Sequence, residues 1–286
     1  MLVYGKVFSV SPKNRTFKIM YKNRIYTLYL STKAFRDYGP YFYDGPYVVV
    51  RVEKTPRLIK NTLCYDIRKF VKIKNYTFRK DQILFDIGIV RKEVRDFVNK
   101  QENKIFIDLE FSLPPNFSSV RYYAEIVQYG IIVENKEGEI VFEDSSLVKP
   151  LKPTSLNNRT LKFLSRKFED FNDACSYIEF YQLLERLIEE YDAKIFAWGR
   201  NDLFTMEKSF SINHLSKLDI RDRYINLMNV IKTFSNTKLD LGLFNTYEEY
   251  TGTEAKKQAH DALEDAYMAR EIFNMFKEKV NKYFSR

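Results

Sequence analysis

The stretch Ile105-Phe106-Ile107-Asp108-Leu109-Glu110-Phe111, IFIDLEF, has the composition of a buried β-strand but carries two acids. Strand side chains alternate, so Asp108 and Glu110 share one face with Phe106, while Ile107, Leu109 and Phe111 take the other. Two carboxylates held side by side in an apolar strand repel each other unless a proton or a cation offsets them. A divalent cation is one answer, and carboxylate oxygens suit Mg2+ or Mn2+. An edge strand with two solvated acids is the other. This segment alone does not choose between them.

The chain on either side supplies context. After the loop SLPPNFSSVRY, the run AEIVQYGIIVENKEGEIVFEDSSLVKP reads as strand, turn and strand, with Glu137-Gly138 at the turn. Ala174, Ile178, Tyr181, Leu184, Leu187 and Ile188 predict a helix over 172–191 capped by Asn172. KIFAWG at 194–199 reads as a short buried strand, and NDLFTMEKSF opens a helix. A final helix is predicted over 259–281. Strands alternating with helices predict an α/β domain with a mixed sheet.

Two further acids stand out. Ala262, Ala266, Ala269, Ile272, Phe273 and Phe276 form the apolar face of the final helix, and Asp265 sits at its border. An acid turned toward a core needs a partner. His260, one of two histidines, precedes it by five residues, whereas Asp261 and Glu264 read as solvated first-turn acids. Asp202 follows the KIFAW strand and Gly199, at the strand end where open α/β sheets place chemistry. Alone, it reads as a helix cap or first-turn acid.

Taken in order, FIDLEF, FAWGRND and HDALEDA resemble the three motifs of the DnaQ-like 3′–5′ exonucleases of the DEDDh type, over about residues 104–281. The resemblance implies an RNase H-like fold, with Asp108, Glu110, Asp202 and Asp265 as metal ligands and His260 as general base. It implies two divalent ions, Mg2+ or Mn2+, acting on a scissile phosphate, and release of nucleoside 5′-monophosphates from a free 3′ end of single-stranded RNA or DNA. Phe111-Ser112-Leu113-Pro114-Pro115 departs from the Thr-Thr-Gly of proofreading members and moves the expectation modestly toward RNA. Phe111 and Leu113 are candidates to stack on terminal bases, or else core contacts, and Arg200 is a candidate phosphate contact. The alternatives are a DNA repair or proofreading exonuclease and a catalytically silent nucleic-acid-binding scaffold.

The first 80 residues differ in kind. They hold 18 Lys or Arg against four acids, a net of +14, whereas the whole chain is +9. Ten Tyr and six Phe fall among them. Short runs of strand character separated by turn signals predict a small barrel over 1–80, OB-like with a helix at 32–38 capped by Ser31; an SH3-like barrel is the alternative. Lys6, Phe17, Lys18, Arg24, Tyr26 and Arg51, together with Tyr4, are candidate contacts to nucleic acid. Docking to a protein is the competing role. Residues 81–103 read as a helical junction leading into a domain at 104–286. Cys64 and Cys175 read as core thiols in a cytoplasmic protein. No run of 18 apolar residues exists, so no membrane span is expected. The sequence does not set the oligomeric state.

Overall fold

The computed structural model describes residues 1–42, 45–76, 81–115, 122–237, 239–253 and 261–285. They fall into two compact units, Met1–Val94 with Thr233–Lys238, and Arg95–Lys232 with Leu239–Arg286.

The first unit contains β1 (Leu2–Ser11), β2 (Thr16–Tyr21), β3 (Arg24–Tyr29), α1 (Thr32–Tyr38), β4 (Tyr47–Val52), β5 (Arg57–Ile59), β6 (Thr62–Tyr76) and β7 (Asp81–Asp86). Antiparallel pairings link β3 to β2, β2 to β1, β1 to β4 and β4 to β6. The parallel pair β3–β6 closes the ring. This is a five-stranded OB-like barrel with α1 in the connection after β3. Ser31 caps α1 by accepting from the Ala34 amide at 3.2 Å. Val3, Val7, Ile19, Leu28, Val48, Val50 and Phe70 fill the interior. Phe17 also lies there, 1% exposed, with its ring 4.5 Å from that of Phe42. Its expected place on a stacking surface is therefore corrected: a barrel this small needs its large rings inside. β5 and β7, paired to β6, were not evident in sequence.

α2 (Ile87–Val98) leads into the second unit. There follow β8 (Lys104–Phe111), β9 (Ile126–Glu134), β10 (Ile140–Lys149), α3 (Asn158–Leu164), β11 (Cys175–Ser176), α4 (Tyr177–Tyr191), β12 (Lys194–Ala197) and α5 (Asn201–Ile212). The chain continues through β13 (Tyr224–Asn226), α6 (Leu227–Ser235), α7 (Leu243–Thr251) and α8 (Ala262–Phe284). The sheet order is β11-β10-β9-β8-β12-β13, antiparallel across β8–β9–β10 and parallel across β8–β12–β13. It is the mixed sheet of an RNase H-like domain.

Strand β8 is central and covered on both faces. Ile105, Ile107 and Leu109 pack with Phe180, Leu184 and Leu187 of α4 and Met206 and Phe210 of α5. On the other face, the Phe273 ring of α8 lies 5.8 Å from Phe106 and 5.1 Å from Phe196. The helix predicted over 172–191 begins at Tyr177, because Ser176 rather than Asn172 caps it. Ser176 Oγ accepts from the Glu179 amide at 3.2 Å while Glu179 accepts from the Ser176 amide at 2.6 Å, satisfying two end donors at once.

One glycine sets how closely α8 approaches the sheet. A Cβ on Gly130 of β9 would stand 2.3 Å from the Ala262 carbonyl carbon and oxygen and from the Leu263 nitrogen. Gly130 pairs with Asp108 across β8–β9. Gly130→Ala is therefore expected to destabilise the chain by about 1–3 kcal/mol, as overpacking against backbone does. Urea unfolding measures this, and a midpoint equal to the parent's would contradict the close approach.

Candidate metal centre

Strand alternation brings Asp108 and Glu110 to the face that α8 covers. Asp265 lies one turn into α8, on its buried stripe. One carboxylate oxygen from each of Asp108, Glu110 and Asp265 lies within 4.8 Å of the others. Glu110 and Asp265 are buried, and Asp108 keeps part of its surface open. Asp202 enters from the first turn of α5 and is also buried. Its Oδ1 accepts from the Leu109 amide at 3.2 Å, which ties it to the strand between the two β8 acids. Tyr224, whose hydroxyl donates to the Gly199 carbonyl at 3.1 Å, lies against the Asp202 carboxyl.

The electrostatics follow from this crowding. Burial first, then Asp202, Asp265 and Glu110, holds the Asp108 carboxyl well above the usual range. Burial followed by Asp265 and Asp202 pushes Glu110 up to about 8. Asp265 rises to about 7 through burial and the neighbouring Asp261 and Glu264. Asp202 also rises to about 7 by burial, against the hydrogen bond from Leu109. Asp108, Glu110 and Asp265, which cannot ionise together without a counter-charge, form a candidate metal site of hard oxygen donors, the kind divalent cations such as Mg2+ or Mn2+ take, with Asp202 beside it.

Two supporting residues were not evident in sequence. Asp261, expected as a solvated acid, caps α8: its Oδ1 accepts from the Leu263 and Glu264 amides at 3.1 and 3.3 Å. Its Oδ2 accepts from Gln128 Nε2 at 3.2 Å. Gln128 stands opposite Glu110 on β9, in the run EIVQYGIIV. Its Oε1 is buried and accepts no hydrogen bond among the described residues. The strand period alone could have flagged it as a polar residue on the acids' face.

The other candidates are spread out. His260 lies outside the described residues. Phe111 is half-buried against the α4–α5 core. Leu113 is half-buried, its amide donating to Thr160 Oγ1 at 2.9 Å and its carbonyl accepting from Asn157 Nδ2 at 2.8 Å. Arg200 is exposed just before α5. In the barrel unit Lys6, Lys18, Arg24 and Arg51 are exposed. Tyr26 is half-buried on the core side of β3, so it does not share a face with Tyr4 and Lys6.

The fold and the acid cluster together describe an RNase H-like domain with a candidate three-residue metal site. No family model matches the chain. The chain is 28% identical over 178 residues, 61% of its length and 84% of the relative's, to "Probable 3′-5′ exonuclease KapD" of Bacillus subtilis (strain 168). Its fold is similar to the nuclease domain of 3′hExo, a DEDDh family member, with a TM-score of 0.53 at 15% identity, over 62% of this chain and 92% of that one. It is also similar to cell-death related nuclease 4, with a TM-score of 0.51 at 17% identity, over 63% of this chain and 64% of that one. The likeness to DEDDh, DnaQ-like 3′–5′ exonucleases runs over a substantial segment of the chain.

Carboxyls raised above their unfolded values make the folded chain hold more protons than the unfolded chain from about pH 4 to about 8. Stability in EDTA is therefore expected to fall as pH rises through that window, and Mg2+ or Mn2+ is expected to restore it. Thermal melts from pH 5.5 to 8.5 check this, with Asp108→Asn giving a shallower slope. A parent whose EDTA profile matches that of Asp108→Asn would contradict the crowded-acid description.

Proposed function

We propose that this chain is a metal-dependent 3′–5′ exonuclease that hydrolyses single-stranded nucleic acid to nucleoside 5′-monophosphates, RNA ahead of DNA. The observation that carries the proposal is the convergence of carboxylate oxygens from Asp108, Glu110 and Asp265 within 4.8 Å on one sheet face. Sequence likeness to a relative named for 3′–5′ exonuclease action supports the direction of cleavage. The lean toward RNA rests on Phe111-Ser112-Leu113 after the paired acids.

In this reading Asp108, Glu110, Asp202 and Asp265 hold two divalent ions. Bound there, the ions supply positive charge to the phosphate transition state and acidify the attacking water. His260 accepts the proton of that water, and an imidazole with an ordinary pKa near 6.5 suits the task. Gln128 and Asp261 fix the start of α8 and so position Asp265. The pinned Leu113 backbone, between Thr160 and Asn157, offers a firm edge beside the terminal nucleotide.

The barrel over residues 1–80 serves as a grip on the strand. Tyrosines run across all five of its strands: ring centroids lie 6.3 Å apart for Tyr47–Tyr4, 4.9 Å for Tyr4–Tyr21, 5.8 Å for Tyr21–Tyr26 and 5.1 Å for Tyr26–Tyr65. Tyr4, the exposed ring of the run, suits base stacking with little sequence preference, and the exposed Lys6, two residues along the same face of β1, suits a phosphate.

A 5′-labelled 20-nucleotide RNA and its DNA counterpart, incubated with Mg2+ or Mn2+, are expected to shorten from the 3′ end in single-nucleotide steps and to stop shortening with chelator. Asp108→Asn should abolish cleavage while the protein still folds. His260→Ala should lower turnover by about 10²–10⁴-fold with Mn2+ binding retained. A chain that leaves both oligonucleotides intact would refute the proposal. An Asp108→Asn protein that cuts at the parental rate would remove the acid cluster from it.

A further inference from the structure

The outer face of the barrel carries a second concentration of charge. Arg51 of β4 lies directly opposite Lys69 of β6. Like charges facing each other across a strand pair cost stability. Arg91 of α2 turns to the same place, and burial, then Arg91 and Arg51, lowers the Lys69 amine below its ordinary value. These three side chains line a pocket of about 280 Å³ whose apolar wall includes Val71 and Ile87. None of the described residues lining it is acidic. Arg68, also in the lining, is engaged elsewhere by a two-pronged bond to Glu53.

Neutral carbonyls accept the bonds from Lys69, Asn236 and Arg91. Lys69 Nζ reaches the Ser235 carbonyl at 3.4 Å, a long bond for an ammonium. Arg51 makes no ion pair among the described residues. Asn236 closes one side, its amide donating to the Phe70 carbonyl at 2.8 Å. Arg91 Nε donates to the Phe234 carbonyl at 3.0 Å, with the guanidinium over the Phe234 ring at 5.3 Å, so its orientation is set in advance. A held guanidinium beside an ammonium and a second guanidinium offers donors from several directions, which matches the oxygens of a phosphate.

We propose that this pocket is a phosphate subsite that takes a phosphodiester of a single-stranded nucleic acid, with Arg51 and Lys69 as its direct ligands and Arg91 completing the wall. The assignment rests on the nuclease reading for its choice of ligand. An acidic protein segment is the occupant it excludes.

The full chain bearing Asp108→Asn, which is not expected to cut, is compared with the same chain bearing Arg51→Gln and Lys69→Gln as well. In chloride buffer the added substitutions are expected to leave the melting temperature unchanged or to raise it, because they remove a repulsion. Inorganic phosphate at matched ionic strength is expected to raise the melting temperature with the pocket intact and not with it altered. Affinity for a fluorescent RNA 20-mer at about 50 mM salt should fall at least tenfold. The slope of log affinity against log salt should shrink by about 0.7 for each strand phosphate that the altered pocket no longer neutralises. Equal affinity and slope would overturn the proposal. So would a melting temperature well below that of the Asp108→Asn chain in both buffers, which would make the cations structural. Protection by phosphate without weaker strand binding would overturn it too, leaving a site for small anions or acidic protein. Binding is read without turnover, so these failures leave the nuclease reading standing. A parent that grips the 20-mer through this pocket yet cuts nothing would refute that reading alone.

Discussion

The backbone-to-backbone approach of α8 to β9 at Gly130 is the contact on which the metal centre depends. No side chain stands between the two elements there, so the first turn of α8 comes down onto the sheet beside Asp108. Other bonds hold the helix in that position. Glu134, at the far end of β9, accepts from Arg270 of α8 at 2.8 Å and from Lys104 at 3.1 Å. At the near end Asp261 caps the helix and binds Gln128 of the same strand. Phe273, just past Arg270, packs its ring on Phe106 of β8. Asp265 is thus carried to the two β8 acids by a helix fixed at its N-terminal cap and again two turns further on at Arg270.

That arrangement stores repulsion. Three carboxylates and a fourth tied to the intervening amide are gathered where water is scarce, and each is driven above its ordinary pKa. Hydrophobic packing on both faces of β8 has to offset that cost. The barrel stores a smaller repulsion of opposite sign where Arg51 faces Lys69. Both are expensive for a protein that binds nothing and useful for one that binds ions of the opposite charge, the first a divalent cation and the second a phosphate. Stability given up at a site is a common signature of binding.

Much of the second unit is legible in sequence because its signals are periodic. Alternation in IFIDLEF places Asp108 and Glu110 on one face, and the 3.6-residue rhythm of α8 exposes Asp265 as an acid on an apolar stripe. The role of Gly130 is not legible. A glycine inside an apolar strand reads as a weak strand residue, and only the packed helix reveals why a side chain is excluded. The start of α4 is misplaced in sequence because Asn172 is a good cap residue just ahead of the periodic run, whereas the reciprocal bond with Glu179 makes Ser176 the cap. Phe17 is misassigned by pattern because the barrel strands carry apolar or aromatic residues on both faces, so alternation divides them without saying which face is inside. The Lys69–Arg91 pocket depends on a helix meeting a strand, which no local pattern encodes.

On this reading α8 delivers Asp265 to Asp108 and Glu110 to make one divalent-cation site. Electron paramagnetic resonance of Mn2+ titrated into the parent and into Asp265→Asn tests it most directly. The expected result is bound Mn2+ in the parent and loss of that binding in Asp265→Asn, with both proteins folded. Mn2+ bound with parental affinity by Asp265→Asn would show that the helix does not complete the site.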